Sequence, residues 1–369
     1  MKILHVTEAY GGGVLRIVNQ LAIGCVENGH DVTLAVSVRP EAPPDWARAL
    51  PPKVKVVELP LCRNLSPLTD CRGLLSLVQL FRREAPDIIH LHSSKAGFLG
   101  RLAARVSGHS KTTFYSPHAF AYLSPELSRP KRYLYRALEQ LGNAFGGALI
   151  ACSEDEAEEA RELGVCASFV NNGIQHTDLW RLVSDVVRLP SSTVTVMTAG
   201  RLCSAKRPEV FVAIAEELRQ RGVLAEFVWI GGGGAPPGTT AVSFTGWLPH
   251  ENVLKVLRTR ADIYLQTSSY EGLPVAVLEA QALGVPAVVA NAVGNRSAVK
   301  DGETGLVLDG DSIKEFADKV ESLVVDKQLR IKMGHAARER SVREFSNEAM
   351  VNGYLNHYAE AHASVEGRI

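Results

Sequence analysis

The chain has 369 residues, 46% of them hydrophobic and 22% charged, a length that allows two or three domains and a composition that excludes long disorder, collagen and low-complexity structure. Forty Lys and Arg balance forty Asp and Glu, which argues against a dedicated nucleic-acid binder, whose phosphate contacts need a basic surplus. The balance is uneven: residues 1–149 hold 18 basic against 11 acidic side chains, and the remainder 22 against 29.

The N-terminus offers one Lys and then only a strand's worth of apolar residues before Thr7 and Glu8, too short for a signal-peptide core. No stretch reaches the 18 or so apolar residues of a membrane span. In chain order, short β-branched runs predict strands at residues 3–6, 32–36, 54–59, 88–91, 112–115, 148–151 and 168–171, with amphipathic helices at 14–27, 74–84 and 96–107 between them. A second series predicts strands at 195–198, 226–230, 242–244, 263–266, 287–290 and 305–307, with helical patterns such as 209–221 and 274–283. Alternation of this kind implies βαβ units and a parallel sheet covered on both faces. The fold class expected is therefore α/β, as two Rossmann-like doubly wound domains facing each other across a cleft: residues 1–175 and 193–345, joined by a linker at 176–192 that carries Pro190. A C-terminal helix within 346–369 is expected to pack back toward the first domain.

Six cysteines (Cys25, Cys62, Cys71, Cys152, Cys166, Cys203) form no C-x-x-C pair and have no histidine at zinc spacing, so neither a disulfide framework nor a metal knuckle is indicated. A reducing cytoplasm fits. Gly11-Gly12-Gly13 follows the first strand and opens a helix, which makes backbone N–H groups available to an anion or simply forms a tight turn. The dinucleotide pattern is not completed, and the second strand ends at Val38-Arg39 without a ribose-binding carboxylate, so a dehydrogenase is disfavoured.

The strongest constellation is residues 268–280, SSYEGLPVAVLEA. It follows a strand, and Pro274 suits a first helical position. Glu271 then lies in the turn and Glu279 one turn beyond Val275 on the same face. Such a carboxylate can take both hydroxyls of a ribose; the plainer alternative is a capping acid followed by an exposed charge.

Two glutamates separated by seven residues, the E-G-L-P run, and Ala282-Leu283-Gly284-Val285-Pro286 after it resemble the retaining glycosyltransferases of family GT4, which have the GT-B fold. Gly200-Arg201-Leu202 with Lys206, residues 230–234, Asn172-Gly173-Ile174 and Ser116-Pro117-His118 resemble further motifs of that family in the same order. The resemblance implies transfer of a hexose or N-acetylhexosamine from a nucleotide diphosphate sugar, UDP by default, with retention at the anomeric carbon. It implies that Arg201 and Lys206 neutralise the departing pyrophosphate without a metal or other cofactor, that Glu279 holds the ribose and Glu271 the sugar hydroxyls, and that Gly272, Leu273 and Val275 meet the phosphates through their backbone. Gly12 and Gly13 complete the expected donor site, and His118 meets the sugar from the first domain. Ala119 departs from the pattern where glycine often follows the histidine, as does Gly233-Gly234-Ala235-Pro236 where an acidic glycine-rich turn is usual.

The acceptor implied is a lipid-linked or cell-surface glycan, such as a polyprenyl-diphosphate sugar, reached from the inner face of the plasma membrane. The basic run Arg129, Lys131, Arg132 and Arg136, interleaved with Tyr133 and Tyr135, suits an anionic membrane surface or a phosphate-bearing partner, or is a solvated helix face. An epimerase of the same fold and a non-catalytic nucleotide-sugar-binding protein are the rivals. Asp309-Gly310-Asp311 matches a divalent-ion pattern but reads as an ordinary turn. His92 and Lys95 either line the acceptor side or, as strand packing predicts, are buried. The acidic run Glu154, Asp155, Glu156, Glu158 and Glu159 predicts a solvated helix start.

Overall fold

The computed structural model describes residues 1–39, 42, 45–62, 66–188, 191–232 and 239–366, so the Gly233-Gly234-Ala235-Pro236 turn and Pro190 lie outside the described residues. The chain divides into two compact units, residues 1–173 with the C-terminal stretch from Asn347, and residues 174–346.

In the first unit the β-branched runs form β1 (Lys2–Tyr10), β2 (Asp31–Val38), β3 (Lys55–Glu58), β4 (Ile88–His92), β5 (Thr113–Ser116), β6 (Ala148–Ala151) and β7 (Ala167–Phe169). They pair as an all-parallel sheet of order β3-β2-β1-β4-β5-β6-β7. Helices α1 (Gly12–Glu27), α2 (Pro67–Glu84), α3 (Ser94–Ser107), α4 (Arg129–Ala144) and α5 (Glu154–Glu162) connect the strands. The second unit holds α6 (His176–Leu182), β8 (Val194–Ala199), α7 (Pro208–Gln220), β9 (Ala225–Ile230), β10 (Ser243–Phe244), α8 (His250–Arg260), β11 (Ile263–Gln266), α9 (Val275–Ala282), β12 (Ala287–Ala290), α10 (Asn295–Ala298), β13 (Gly305–Leu308), α11 (Ile313–Val325) and α12 (Lys327–Glu344). Its sheet order is β10-β9-β8-β11-β12-β13. Strand order therefore reverses between β1 and β4 and again between β8 and β11, the points where a doubly wound sheet leaves a crevice at its carboxyl edge.

Both sheets are sandwiched by apolar side chains. Leu4, Val6, Ile89, Leu91 and Tyr115 meet Leu77, Phe81, Leu99 and Ala103 in the first unit; Val196, Phe227, Trp229 and Leu265 meet Phe211, Ile214, Leu218 and Phe316 in the second. The last helix, α13 (Asn347–Glu366), belongs to the first unit. A Cβ on Gly24 of α1 would stand 2.8 Å from Val351 Cγ1, so the missing side chain is what lets α13 lie on α1.

The expected linker needs correcting. Residues 176–182 are helix α6, docked on the second unit by hydrogen bonds from His176 to Ser341 (2.9 Å) and from Trp180 Nε1 to the Ala282 carbonyl (3.4 Å). Aromatic and polar anchors in a short segment without long periodicity account for this. The chain instead passes from one unit to the other after Gly173 and returns after Ser346, where Ile174 pairs with Ser346.

Packing of α3 against α4 includes a buried ion pair. Arg101, 1% exposed, reaches Glu139 at 3.2 Å, and Tyr115 donates to the other Glu139 oxygen at 3.0 Å. Burial pushes the Glu139 carboxyl up while the guanidinium opposes it. Removing one partner leaves the other charge buried alone, whereas replacing both by apolar groups does not. Glu139→Ala should therefore cost about 3–5 kcal/mol in urea unfolding, and Arg101→Met with Glu139→Leu clearly less; equal losses would contradict the pairing.

Candidate active site

At the carboxyl edge of the second sheet, the loop after β8 and the loop after β11 carry the expected motif residues. Lys206 Nζ lies 2.5 Å from Glu271 Oε1, and Gln266 Nε2, from the last residue of β11, donates to the same oxygen at 2.9 Å. The pair is partly exposed, at 22% for Lys206 and 17% for Glu271, so it is open to a ligand. Thr267 fixes the lysine loop from below, donating its hydroxyl to the Lys206 carbonyl at 2.7 Å. Arg201 stands in the exposed loop after β8.

Glycines let these loops meet. A Cβ on Gly231, at the end of β9 with φ +109°, would stand 2.7 Å from the Gly200 carbonyl, and one on Gly294 (φ +81°) would stand 2.5 Å from the Gly272 carbonyl. The Glu271 amide donates to Val293 at 2.9 Å, and Gly272 and Leu273 are buried in the resulting turn. Helix α9 then starts at Val275, with Pro274 as its N-cap and no side-chain cap, one residue later than expected. An α-helix leaves its first-turn amides without intrahelical acceptors, and here that positive end sits beside the Lys206–Glu271 pair.

Glu279 is not the exposed charge of the plainer alternative. It is 3% exposed, and His250 Nε2 lies 2.7 Å from its Oε1. A carboxylate held this way is oriented for recognition. His250 and Gln266 are the residues that sequence reasoning missed here; each lies at an element boundary, with no local motif to single it out.

Asp309 and Asp311 do not converge. Asp309 accepts from Asn291, and Asp311, 80% exposed, pairs with Arg207 at 2.6 Å, as an ordinary turn predicts.

In the first unit, Gly12 and Gly13 open α1 and are exposed, with nothing within 4 Å of where a Cβ on Gly12 would stand. In the same unit four histidines gather. His5 of β1 is paired in register with His90 of β4, and the pleat puts His92 on the same face as His90. His118 follows β5 and stacks on His92 with ring centroids 5.2 Å apart. His5, His90 and His92 are fully buried, in keeping with the packing alternative for His92, while Lys95 pairs with Asp70 at 2.6 Å. Burial lowers His5 to about 3 and His118 to about 4, and holds His90 and His92 well below the usual histidine range.

The expectation of a solvated acidic run is wrong for its inner members. Asp155 is buried and Glu156 fully so. Glu156 accepts the Ala119 amide at 2.6 Å with one oxygen and the Cys152 amide at 2.8 Å with the other. Burial raises its pKa, and the two amides oppose that shift. This carboxylate clamps the His118-Ala119 turn, whose φ values of +53° and +83° are left-handed. The departure at Ala119 is thereby explained: a glycine conformation is held on an alanine by a buried acceptor. Its signal was invisible locally because donor and acceptor are 37 residues apart.

Family models match two stretches: a glycosyl transferase 4-like domain over residues 12–170 and glycosyl transferases group 1 over residues 184–340. The chain belongs to the GT4-like glycosyltransferases. Similar proteins include the UDP-Gal:alpha-D-GlcNAc-diphosphoundecaprenol alpha-1,3-galactosyltransferase of Escherichia coli, 29% identical over 78% of this chain and 78% of its own length. The lipopolysaccharide core biosynthesis glycosyltransferase LpsE of Rhizobium meliloti is 26% identical over 96% and 98%. Among solved structures, sucrose-phosphate synthase from Thermosynechococcus elongatus superposes with a TM-score of 0.80 at 17% identity, over 99% of this chain and 100% of that one. The protein is a glycosyltransferase with the GT-B fold.

The glycosyltransferase's histidine cluster has a pH signature. In the unfolded chain the four rings take up protons below about pH 6.5; in the folded protein burial holds His5 down to about 3 and His118 to about 4, with His90 and His92 also depressed. The unfolded state therefore binds more protons below pH 6.5, so stability present above that pH is lost as pH falls toward the folded values, by about 1.4 kcal/mol per pH unit for each proton. The raised Glu139 and Glu156 act in the opposite sense near their own range. Urea midpoints should fall steeply from pH 6.5 to 5, and a flat profile would contradict the neutral buried cluster.

Proposed function

We propose that the protein transfers a hexosyl or N-acetylhexosaminyl group from a nucleotide diphosphate sugar, a UDP sugar by preference, to a lipid-linked or cell-surface glycan, with retention at the anomeric carbon and without a metal or other cofactor. The observation that carries this reading is the Lys206–Glu271 pair beside the uncapped start of α9, with the buried Glu279 one turn further along. A fixed ammonium beside a helix N-terminus suits a diphosphate. The E. coli relative acts on UDP-Gal and a diphosphoundecaprenol-linked acceptor, which favours the same donor and acceptor classes here.

In this reading Arg201 and Lys206 stabilise the negative charge that grows on the pyrophosphate as the anomeric C–O bond breaks. The acceptor oxygen forms the new bond to the anomeric carbon and its proton passes to the departing diphosphate. Gly272, Leu273 and Val275 offer amides to the phosphates, Glu279 takes the ribose hydroxyls, and Glu271 orients the sugar hydroxyls through Oε2 while Lys206 and Gln266 hold its Oε1. His118 is the first unit's contribution to sugar binding, and Gly12 and Gly13 keep the start of α1 open on that side. With Glu271 held at 2.5 Å from Lys206, donor binding redistributes one lysine N–H from carboxylate to phosphate.

Lys206→Ala and Glu279→Gln should each lower transfer by roughly thirty- to a thousandfold, the equivalent of about 2–4 kcal/mol in the transition state. The product's anomeric configuration, read by NMR, should match the donor's, and EDTA should leave the rate unchanged. Near-wild-type rates in both variants would remove the donor assignment; an inverted product would remove the retaining mechanism; a rearranged sugar released without acceptor would favour an epimerase.

The acceptor's lipid places a further demand on α4. Arg129, Lys131, Tyr133 and Leu134 are exposed together, with Tyr133 at 73%, whereas Arg132 donates to the Ser124 carbonyl and Arg136 lies over the Tyr122 ring. The outward group is cationic and aromatic, as an anionic bilayer surface requires. No helix among the described residues is long and apolar enough to cross a membrane, and peripheral attachment at the inner face is the arrangement proposed. Binding to phosphatidylglycerol vesicles should weaken with salt and be lost on Arg129→Glu with Lys131→Glu; indifference to vesicles at low salt would point to a soluble acceptor.

A further inference from the structure

Three of the four histidines form a continuous chain of ring-to-ring hydrogen bonds. His118 Nε2 is 3.0 Å from His92 Nδ1, and His92 Nε2 is 3.1 Å from His5 Nδ1. At the far end, His5 Nε2 is buried and has no hydrogen-bond partner among the described residues. The fourth ring, His90, is tied elsewhere: its Nε2 meets Ser116 Oγ at 2.9 Å and its Nδ1 meets Tyr358 Oη at 2.5 Å. Since Ser116 donates its own proton to the Ile150 carbonyl at 2.6 Å, it accepts from His90, which therefore carries its hydrogen on Nε2 and takes the Tyr358 proton on Nδ1.

The same geometry bears on metal binding. His5, His90 and His92 bring ring nitrogens within 4.8 Å of one another, but both nitrogens of His90 and both of His92 already have partners. Only His5 Nε2 is left over, and one nitrogen does not make a metal site.

The chain of three rings permits just two proton arrangements. A neutral imidazole carries one N–H and one lone pair, and each of the two links needs one of each. If His92 is protonated on Nδ1, it donates to His118 and must accept from His5; all three rings then carry Nδ1–H. If His92 is protonated on Nε2, it donates to His5 and accepts from His118, and all three carry Nε2–H. Mixed arrangements place two hydrogens, or none, in one link. Burial keeps the rings neutral across the physiological range, so the constraint holds there.

We infer that His5 and His92 are positioning residues that lock the tautomer of His118 to their own, and so bear on whether its remaining nitrogen, Nδ1, donates to a sugar oxygen or accepts from a sugar hydroxyl. The role rests on the reading of His118 as a sugar contact, but the locked register does not. Glu156 fixes where the His118 turn stands through the Ala119 amide; the two inner histidines fix what it offers. A distal ring with no contact to substrate thereby selects the hydrogen-bonding character of one that has it.

The test is long-range 15N–1H correlation NMR on the full-length protein with 15N-labelled histidine at pH 7.5. His5, His92 and His118, assigned through single substitutions, should share one tautomer, whichever it is, and His90 should be Nε2–H. Opposite tautomers at any two of the three, or a charged ring among them, would overturn the register. Function is read with two variants: His5→Phe removes the end of the chain while filling its space, and His5→Asn keeps a polar group where Nδ1 stood. His5→Phe should convert the His118 signal to a mixture of tautomers and lower kcat about tenfold, and His5→Asn should recover both. Should His118→Ala leave transfer unchanged, the sugar contact fails while the register stands or falls by the spectrum alone. Should His118→Ala abolish transfer while His5→Phe changes neither spectrum nor rate, the positioning role fails.

Discussion

Where β1 meets β4, and again where β8 meets β11, consecutive connections leave to opposite faces of a parallel sheet, and the carboxyl ends of two adjacent strands are left uncovered. The residues proposed for donor binding gather at those two places. Gln266, His5 and His92 are carried on strands whose positions are fixed by the ladder, while Lys206 and His118 stand on loops held by Thr267 and Glu156.

The two crevices are chemically unlike. In the second unit the crevice is charged and polar: Lys206, Glu271, Glu279 and the positive start of α9 form a set suited to a ligand with its own charge. In the first unit the rings behind the crevice, His5, His90 and His92, are buried and held neutral, and only His118, stacked on His92, is partly exposed. The contrast follows from which side chains sit at the carboxyl edges of two similar sheets.

Strand positions were legible because β-branched runs in a buried parallel sheet leave little else to read; residues 148–151, 263–266 and 287–290 match β6, β11 and β12 residue for residue. Helix starts were less so. Helix α2 begins at Pro67, seven residues before the apolar pattern at Leu74, because its first turns hold Thr69, Asp70, Cys71 and Arg72, which bury little. The Glu271 and Glu279 pair could be recognised by spacing alone, but the hydrogen-bond partner of the buried Glu279 is His250, 29 residues away. Glu156 and the His5–His92–His118 chain were out of reach for the same reason: each depends on which strands lie side by side, and β1 joins β4 across 87 residues of sequence. Local composition made Glu156 look like a solvated charge, and only the fold supplies the two amides that it serves.

The central claim is that the loop and helix start at residues 271–276, with the Lys206 loop, form the diphosphate site. Hydrogen–deuterium exchange with and without UDP tests it most directly, since amides that donate to phosphate exchange more slowly than amides facing water. The account predicts UDP-dependent protection in peptides covering residues 268–280 and 199–207. Saturating UDP that leaves both segments unprotected while slowing exchange elsewhere would contradict it.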